Sequence, residues 1–288
     1  MVESKRKSGA PIREMIGEAI LRLFADEAIP LAGNIAFRTL FSAFPFLLFV
    51  TALAGFFGNQ ELAKSLIEFL FAVAPEEIVR PLQPEILSVL TIRQKGVLSL
   101  SVALTIWTAS GGVDSVRVGL NRAYDIKEHR AYPWLLLQNI AFVFAGAAAL
   151  LLLALLIVLG PLVLAFVNQY APALRELVLW FDFWRYPVAI TAIAFVLLAA
   201  HKILPAQRFR FSEIWPGIFF TLIVWIMLAA VFAQYLAHFS TFASTYAGLG
   251  GIAAAIFFLY LSAIVLIFGG EINRVIIIRR QNHLAMRR

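Results

Sequence analysis

Six stretches of this 288-residue chain stay apolar over the length needed to cross a bilayer, near 34–57, 97–116, 135–167, 187–204, 214–238 and 248–272. Nothing else in the sequence limits the fold so tightly. A helix rises about 1.5 Å per residue and needs about 20 residues to cross a hydrocarbon core of about 30 Å. Within that core the segment must satisfy its own backbone N–H and C=O groups, which leaves the helix as its form. Composition agrees, with 61% hydrophobic residues, 14% charged residues and a mean hydropathy of +0.86. The chain is therefore expected to be an all-α integral membrane protein with about six transmembrane helices, forming one membrane domain over residues 1–288.

The charges outside these stretches set an orientation. Of 24 lysines and arginines, 17 fall in the N-terminal segment, the loops near 117–134 and 205, and the C-terminal tail. Six fall on the opposite side, and Arg38 lies within a span. Lysine and arginine gather on the cytoplasmic side, so both termini are expected in the cytoplasm of a bacterial inner membrane. The same bias explains the net charge of +7 without nucleic acid as a partner. The opening "MVESKRKSGAPIREMIGEAI" has no uninterrupted apolar core and no small-residue cleavage site, unlike a cleaved signal peptide.

Two further segments read as amphipathic. Residues 1–33 form a cytoplasmic segment in which Ile12, Ile16, Ile20 and Phe24 recur every four positions with charges between them, as in a helix lying on the membrane surface. Residues 58–96, broken at Pro75, Pro81 and Pro84, form an outer-side segment that offers a docking surface for an envelope protein partner. Residues 273–288 form a basic cytoplasmic tail. "LWFDFWRYP" near 180 gathers aromatics as an interfacial belt does.

Three spans carry polar groups toward one level. Asn34 and Arg38 lie in the cytoplasmic third of the first. Ser110, Asp114, Arg117 and Asn121, at spacings of four, three and four, share one face at the inner end of the second, followed by Arg122. Glu271 and Asn273 come at the inner end of the sixth. An ionised side chain in hydrocarbon needs a partner, water or a headgroup, and Asp114 or Glu271 is the expected partner of Arg38. Two readings stand. In one, these groups fix helix packing. In the other, they line a cavity open to the cytoplasm that takes an anionic headgroup or solute. Pro45 and Pro161 mark helix breaks, and Gly251, four residues from both Ala247 and Ala255, marks a close helix approach.

The stretches "AFRTLFSAFPFLLFVTAL", "WTASGGVDSVRVGLNRAYDIKEHRAYPW" and "WPGIFFTLIVWIMLAAVFAQYLAHFSTFASTYAGLGGIAAAIFFLYLSAIVLIFGGEIN" resemble, in order, the YihY/BrkB family of bacterial inner-membrane proteins. The third includes a tyrosine–glycine loop motif, here Tyr246 and Gly248, and a last helix ending in Gly-x-Glu-hydrophobic-Asn, here Gly269, Glu271 and Asn273. One position departs: Arg38 stands where many members have tyrosine. The resemblance implies a six-helix inner-membrane protein. Members have carried the labels ribonuclease BN and serum-resistance factor.

Against catalysis, the four histidines are scattered, no HExxH or Cys–His pattern occurs, and there is no cysteine for a thiolate metal site. No metal or cofactor is expected. Membrane lipids are the expected partners, and the reading favoured is movement or binding of an anionic lipid, amphiphile or solute; the alternative is a non-transporting envelope scaffold. No repeat relates the two halves, which removes one usual sign of a secondary transporter.

Overall fold

The computed structural model describes residues 12–56, 95–153, 156, 175–239 and 249–285. Among them are seven α-helices and no strand: α1 (Ile12–Ala25), α2 (Ala28–Phe56), α3 (Lys95–Ala123), α4 (Tyr132–Leu153), α5 (Arg175–Ile203), α6 (Phe211–Phe239) and α7 (Leu249–Ala285). Most of the outer-side segment, Pro161, Tyr246 and Gly248 lie outside the described residues.

Four helices carry stretches long and apolar enough to cross a membrane: Tyr132–Leu153, Trp180–Ile203, Phe211–Tyr235 and Gly251–Ala285. Their outward faces are apolar, with Leu151, Phe195 and Val231 all exposed. Water would penalise such a surface, whereas acyl chains are as apolar as leucine. The surface is that of a membrane protein.

α7 is the hub, packing against α1, α2, α3 and α6; α2 runs along α3, while α4 and α5 close the series from α3 to α6. Two buried clusters lie where the α1–α2, α3–α4 and α5–α6 connections gather, here called the loop end. One is built around Leu120, Tyr124, Leu204 and Ile214, the other around Ala32, Ala123 and Ile267.

α1 is amphipathic. Ala19 and Leu23 turn inward, and Ile16, Ile20 and Phe24 remain exposed as one apolar stripe. The helix ends at Ala25, and Glu27, with a φ of 56°, lies in the turn into α2. α7, by contrast, does not stop near residue 272. It runs on to Ala285, so the basic tail is helical that far, and Arg279 bonds Glu18 of α1 at 3.3 Å. At 37 residues it is about 55 Å long, more than a bilayer requires. α2 likewise continues through Pro45 as helix.

Small residues set the closest approaches. Gly111, Ser115, Gly119 and Ala123 repeat every fourth position on α3, and a methyl on Gly119 would meet Ile35 and Ile267 at 3.4 and 3.3 Å. α6 and α7 cross at Gly217 and Gly269: a Cβ on Gly217 would overlap the Gly269 carbonyl oxygen, and one on Gly269 would overlap the Thr221 hydroxyl. Gly251, half-buried near the start of α7, is not where this crossing falls.

Candidate functional site

Arg38 lies ten residues into α2, about 15 Å along the axis from its start. Helical side chains lean toward their own N-terminus, so Arg38 reaches back toward the loop end. Its Nε donates to Asn34 Oδ1 at 3.2 Å and its Nη1 to the Gly111 carbonyl of α3 at 3.3 Å. Asn34 Nδ2 donates in turn to Ser115 Oγ at 3.3 Å, and Ser115 donates to the Gly111 carbonyl at 3.0 Å. The guanidinium is solvent-accessible, and none of the ion pairs among the described residues involves it.

The expected pairing of Arg38 with Asp114 or Glu271 does not form. Asp114 is taken by Arg117, one turn along its own helix, at 2.8 Å, and accepts Asn139 Nδ2 of α4 at 3.2 Å. Glu271 is fully buried elsewhere, among Asp26, Arg22, Tyr124 and Arg274. Asp26 precedes α2 by two residues, so this neighbourhood is separated from Arg38 by most of three helical turns.

The loop-end polar groups form a second layer, centred on a residue that sequence reasoning passed over. α3 ends in a Schellman motif: Ile126 N–H bonds the Asn121 carbonyl at 2.8 Å, Asp125 N–H bonds Arg122 at 2.9 Å, and Asp125 has φ 56°. That reversal brings Glu128 back onto α3. Its Oε2 accepts from Arg117, from Asn121 Nδ2 at 3.1 Å and from Arg130 Nη2 at 2.8 Å. Its Oε1 accepts Arg130 Nε at 2.8 Å and two backbone N–H groups at 3.1 Å. Hydrogen bonds from Arg130, foremost, hold the Glu128 carboxyl well below the usual carboxylate range.

The layer reaches α4 and the α5–α6 connection. Arg130 donates to the Leu204 carbonyl at 2.7 Å and to Gln138 at 2.9 Å, Gln138 donates to the Ile203 carbonyl at 3.0 Å, and Asn121 Oδ1 accepts Ala206 N–H at 2.9 Å. Arg117 thus serves two carboxylates. Arg122 lies apart, half-exposed beside Asp26 at 3.8 Å. Among the described residues, Ser110 bonds its own helix, at the Trp107 carbonyl.

Beneath this layer runs a buried chain. Gly217 N–H donates to Asn273 Oδ1 at 2.7 Å, Asn273 Nδ2 donates to the Tyr124 hydroxyl at 2.9 Å, and that hydroxyl lies 2.8 Å from His201 Nδ1. It links α6, α7, the end of α3 and α5. The signal for it was present in the "NRAYD" and "GGEIN" stretches, but no spacing rule pairs residues 149 positions apart. Among the described residues, no three His, Asp or Glu side chains are arranged to hold a metal. A groove of about 590 Å³ opens between α4 and α5, lined by Phe142, Ala145, Trp184, Thr191 and Phe195 among others, without an ionisable side chain.

A helical bundle with lipid-facing apolar surfaces and polar groups confined to helix interfaces and one end defines a polytopic all-α membrane protein. Within that class, the model of the family described as virulence factor BrkB matches residues 19–288, and the chain belongs to that family. It is similar to the putative ribonuclease-like protein YfkH of Bacillus subtilis, 27% identical over 90% of this chain and 94% of that protein. It is also similar to UPF0761 membrane proteins of Pseudoalteromonas translucida, 25% identical over 94% of this chain and 90% of the relative, and of Alteromonas mediterranea, 23% identical over 90% and 86%. No solved structure matches the chain.

Proposed function

We propose that the protein spans the bacterial inner membrane six times, α2 and α3 completing the set, with the loop end in the cytoplasm, and that it binds and moves an anionic lipid or amphiphile. The observation that carries this reading is Arg38. It is an exposed guanidinium within an apolar helix, hydrogen-bonded to an amide and a backbone carbonyl, with no carboxylate paired to it among the described residues. Such a cation attracts an anion, and a headgroup at this depth brings acyl chains with it. Asn34 and Ser115 hold the guanidinium in place; Arg122, nearer the loop end, adds positive charge on the approach. Asp114 supports the site by fixing α3 against α4 through Asn139, and Arg117 and Asn121 tie α3 to Glu128 of the loop that follows it. The apolar α4–α5 groove suits acyl chains and favours an amphiphile over a small solute.

RNA cleavage, which the name of the Bacillus relative suggests, calls for a general acid and base converging in water. His201 is buried against Tyr124 and His129 lies on the α3–α4 loop, so these two do not converge. The family membership points to a membrane role instead.

The test is transbilayer movement of a fluorescent anionic lipid in liposomes holding the purified protein, beside an anion-flux assay. Wild type is expected to move the lipid, and Arg38→Ala to lose at least tenfold of that rate while inserting normally. Anion flux without lipid movement would assign a solute carrier. Neither activity would assign a scaffold role, with residues 58–96 as the surface to examine.

A further inference from the structure

Asn34, Arg38 and Ser42 recur every fourth residue on α2 and share one face of it. Ser115, Gly111 and Thr108, at spacings of four and three, share one face of α3. The two faces meet, because Asn34 bonds Ser115 and Arg38 bonds the Gly111 carbonyl, each at 3.3 Å. These pairs fix α2 and α3 as antiparallel neighbours. One further turn along each helix brings Ser42 and Thr108 to a common level of the seam, about 6 Å beyond Arg38 along α2 and away from the loop end.

These groups keep bonding capacity for a guest. Arg38 gives one N–H to Asn34 and one to Gly111, so three of its five N–H donors have no acceptor among the described residues. Ser42 Oγ donates to the Thr39 carbonyl at 2.7 Å and Thr108 Oγ1 to the Leu104 carbonyl at 2.8 Å, bonds within their own helices that let a hydroxyl sit in lipid at little cost. With its one donor spent, each hydroxyl still offers acceptor lone pairs, and no described group donates to either oxygen. The seam is thus rich in donors at Arg38 and in acceptors one turn on. The residues beside it are apolar and exposed: Phe37 and Phe41, stacked at 5.9 Å on α2, and Leu104 and Trp107 on α3.

Resting on the reading of Arg38 as a headgroup site, we propose that the α2–α3 seam is the path the headgroup follows, and that it is fitted to an anionic phospholipid whose headgroup carries hydroxyl donors, of the phosphoglycerol kind. The phosphodiester oxygens take the free N–H groups of Arg38, a charge-assisted contact that offsets the water the phosphate gives up. One turn on, the headgroup hydroxyls donate to Ser42 Oγ and Thr108 Oγ1, which replace the water those hydroxyls shed. A polar group carried into hydrocarbon without such a partner costs several kcal/mol, so the two oxygens lower the barrier for this headgroup in particular. The acyl chains stay outside the seam, against its apolar margins. A headgroup with the same charge and no donor gains from Arg38 alone.

The test uses two lipids, each labelled on an acyl chain, in liposomes holding the purified full-length protein. One is phosphatidylglycerol; the other is phosphatidylmethanol, which has the same phosphodiester charge and no headgroup donor. Arg38→Ala is expected to slow both. Ser42→Ala/Thr108→Val, which removes both oxygens with little change of shape, is expected to slow phosphatidylglycerol several-fold and leave phosphatidylmethanol unchanged. The chain has no cysteine, so Ser42→Cys/Thr108→Cys places the only two thiols across the seam. A short cleavable dithiol-reactive reagent is expected to bridge them and to halt both lipids until it is cleaved. An equal effect of the hydroxyl double variant on the two lipids, no effect on either, thiols that do not bridge, or lipid movement that continues past the bridge would each overturn the path while leaving Arg38 as a headgroup site. Wild type that moves neither lipid would overturn both readings, and flux of free glycerol 3-phosphate in its place would assign the seam to a solute.

Discussion

Arg38 and Gly111 meet across the α2–α3 seam so closely that a methyl group on Gly111 would stand 2.8 Å from the arginine Nη1. The contact atom is the far end of a flexible side chain, so the strain is relieved by moving the guanidinium. Gly111→Ala is thus expected to fold and insert at close to wild-type abundance while displacing Arg38 from the Gly111 carbonyl. If Arg38 holds a headgroup, lipid movement should fall several-fold with little loss of protein. Size-exclusion profiles in detergent, run beside the liposome assay, separate the two effects.

The α6–α7 crossing should respond in the opposite way. At Gly217 the added methyl meets a backbone carbonyl and Asn273, and at Gly269 it meets Thr221 and the Gly217 backbone, so relief requires the helices to part. Overpacking that moves backbone costs about 1–3 kcal/mol and at times more. Gly217→Ala and Gly269→Ala are expected to lower the detergent melting temperature and the yield of monodisperse protein, Gly217 the more severely. Unchanged melting in both would show that the crossing is looser than described.

Much of this architecture could be read along the chain, because lipid imposes length and apolarity on every span. The exposed stripe of α1 follows from the spacing of Ile16, Ile20 and Phe24, and the shared face of Arg117 and Asn121 from helical period. Arg38 was visible as an unusual charge, but its partner was not. Gly111 supplies a backbone carbonyl, which every residue has, and only tertiary packing selects that one. Glu128 was missed because "DIKEHR" reads as a solvated charge run; the Schellman turn at Asp125 converts it into the centre of a network. The Gly217–Gly269 approach joins positions 52 apart, and one sequence gives no means of pairing them.

Charge exchange tests the assignment of Asp114. Because Asp114 pairs with Arg117 and not with Arg38, the double variant Arg38→Asp/Asp114→Arg is expected to rescue neither single change. Arg117→Asp/Asp114→Arg should recover part of the loss in thermal stability, limited by Glu128, which would then face a carboxylate at position 117. The check is a double-mutant cycle of melting temperatures. Rescue by the Arg38 exchange would place Asp114 against α2 after all.

Glu128 gives the loop end a defined pH response. Its carboxyl is held well below the usual range in the folded protein, chiefly by Arg130. A depressed folded value means the stabilisation is fully present above the unfolded value of about 4.3 and is lost as pH falls from there toward the folded value. Wild-type melting temperature should therefore decline on acidification below about pH 4.3. Glu128→Gln should be less stable at neutral pH by about 1–3 kcal/mol, since it leaves Arg117 and Arg130 short of a charge partner. Its melting curve should also show a shallower acid decline. Equal acid slopes in the two proteins would remove Glu128 from the linkage.

The buried chain through Tyr124 makes the last prediction. Its hydroxyl accepts from Asn273 and contacts His201, tying α7 and α5 to the end of α3 where water cannot substitute. Tyr124→Phe keeps the ring packed against Phe209, at 4.5 Å between centroids, and removes only the oxygen. An unsatisfied buried donor costs about 1–3 kcal/mol, so Tyr124→Phe should destabilise by about that much through Asn273. With the hydroxyl gone, His201 has already lost its partner at Nδ1, so His201→Leu should cost less in the Tyr124→Phe background than alone. A coupling of about 0.5 kcal/mol or more in the four-variant cycle is the expected reading for groups in one network. Strict additivity would mean that the 2.8 Å contact contributes nothing to holding α5 against the end of α3.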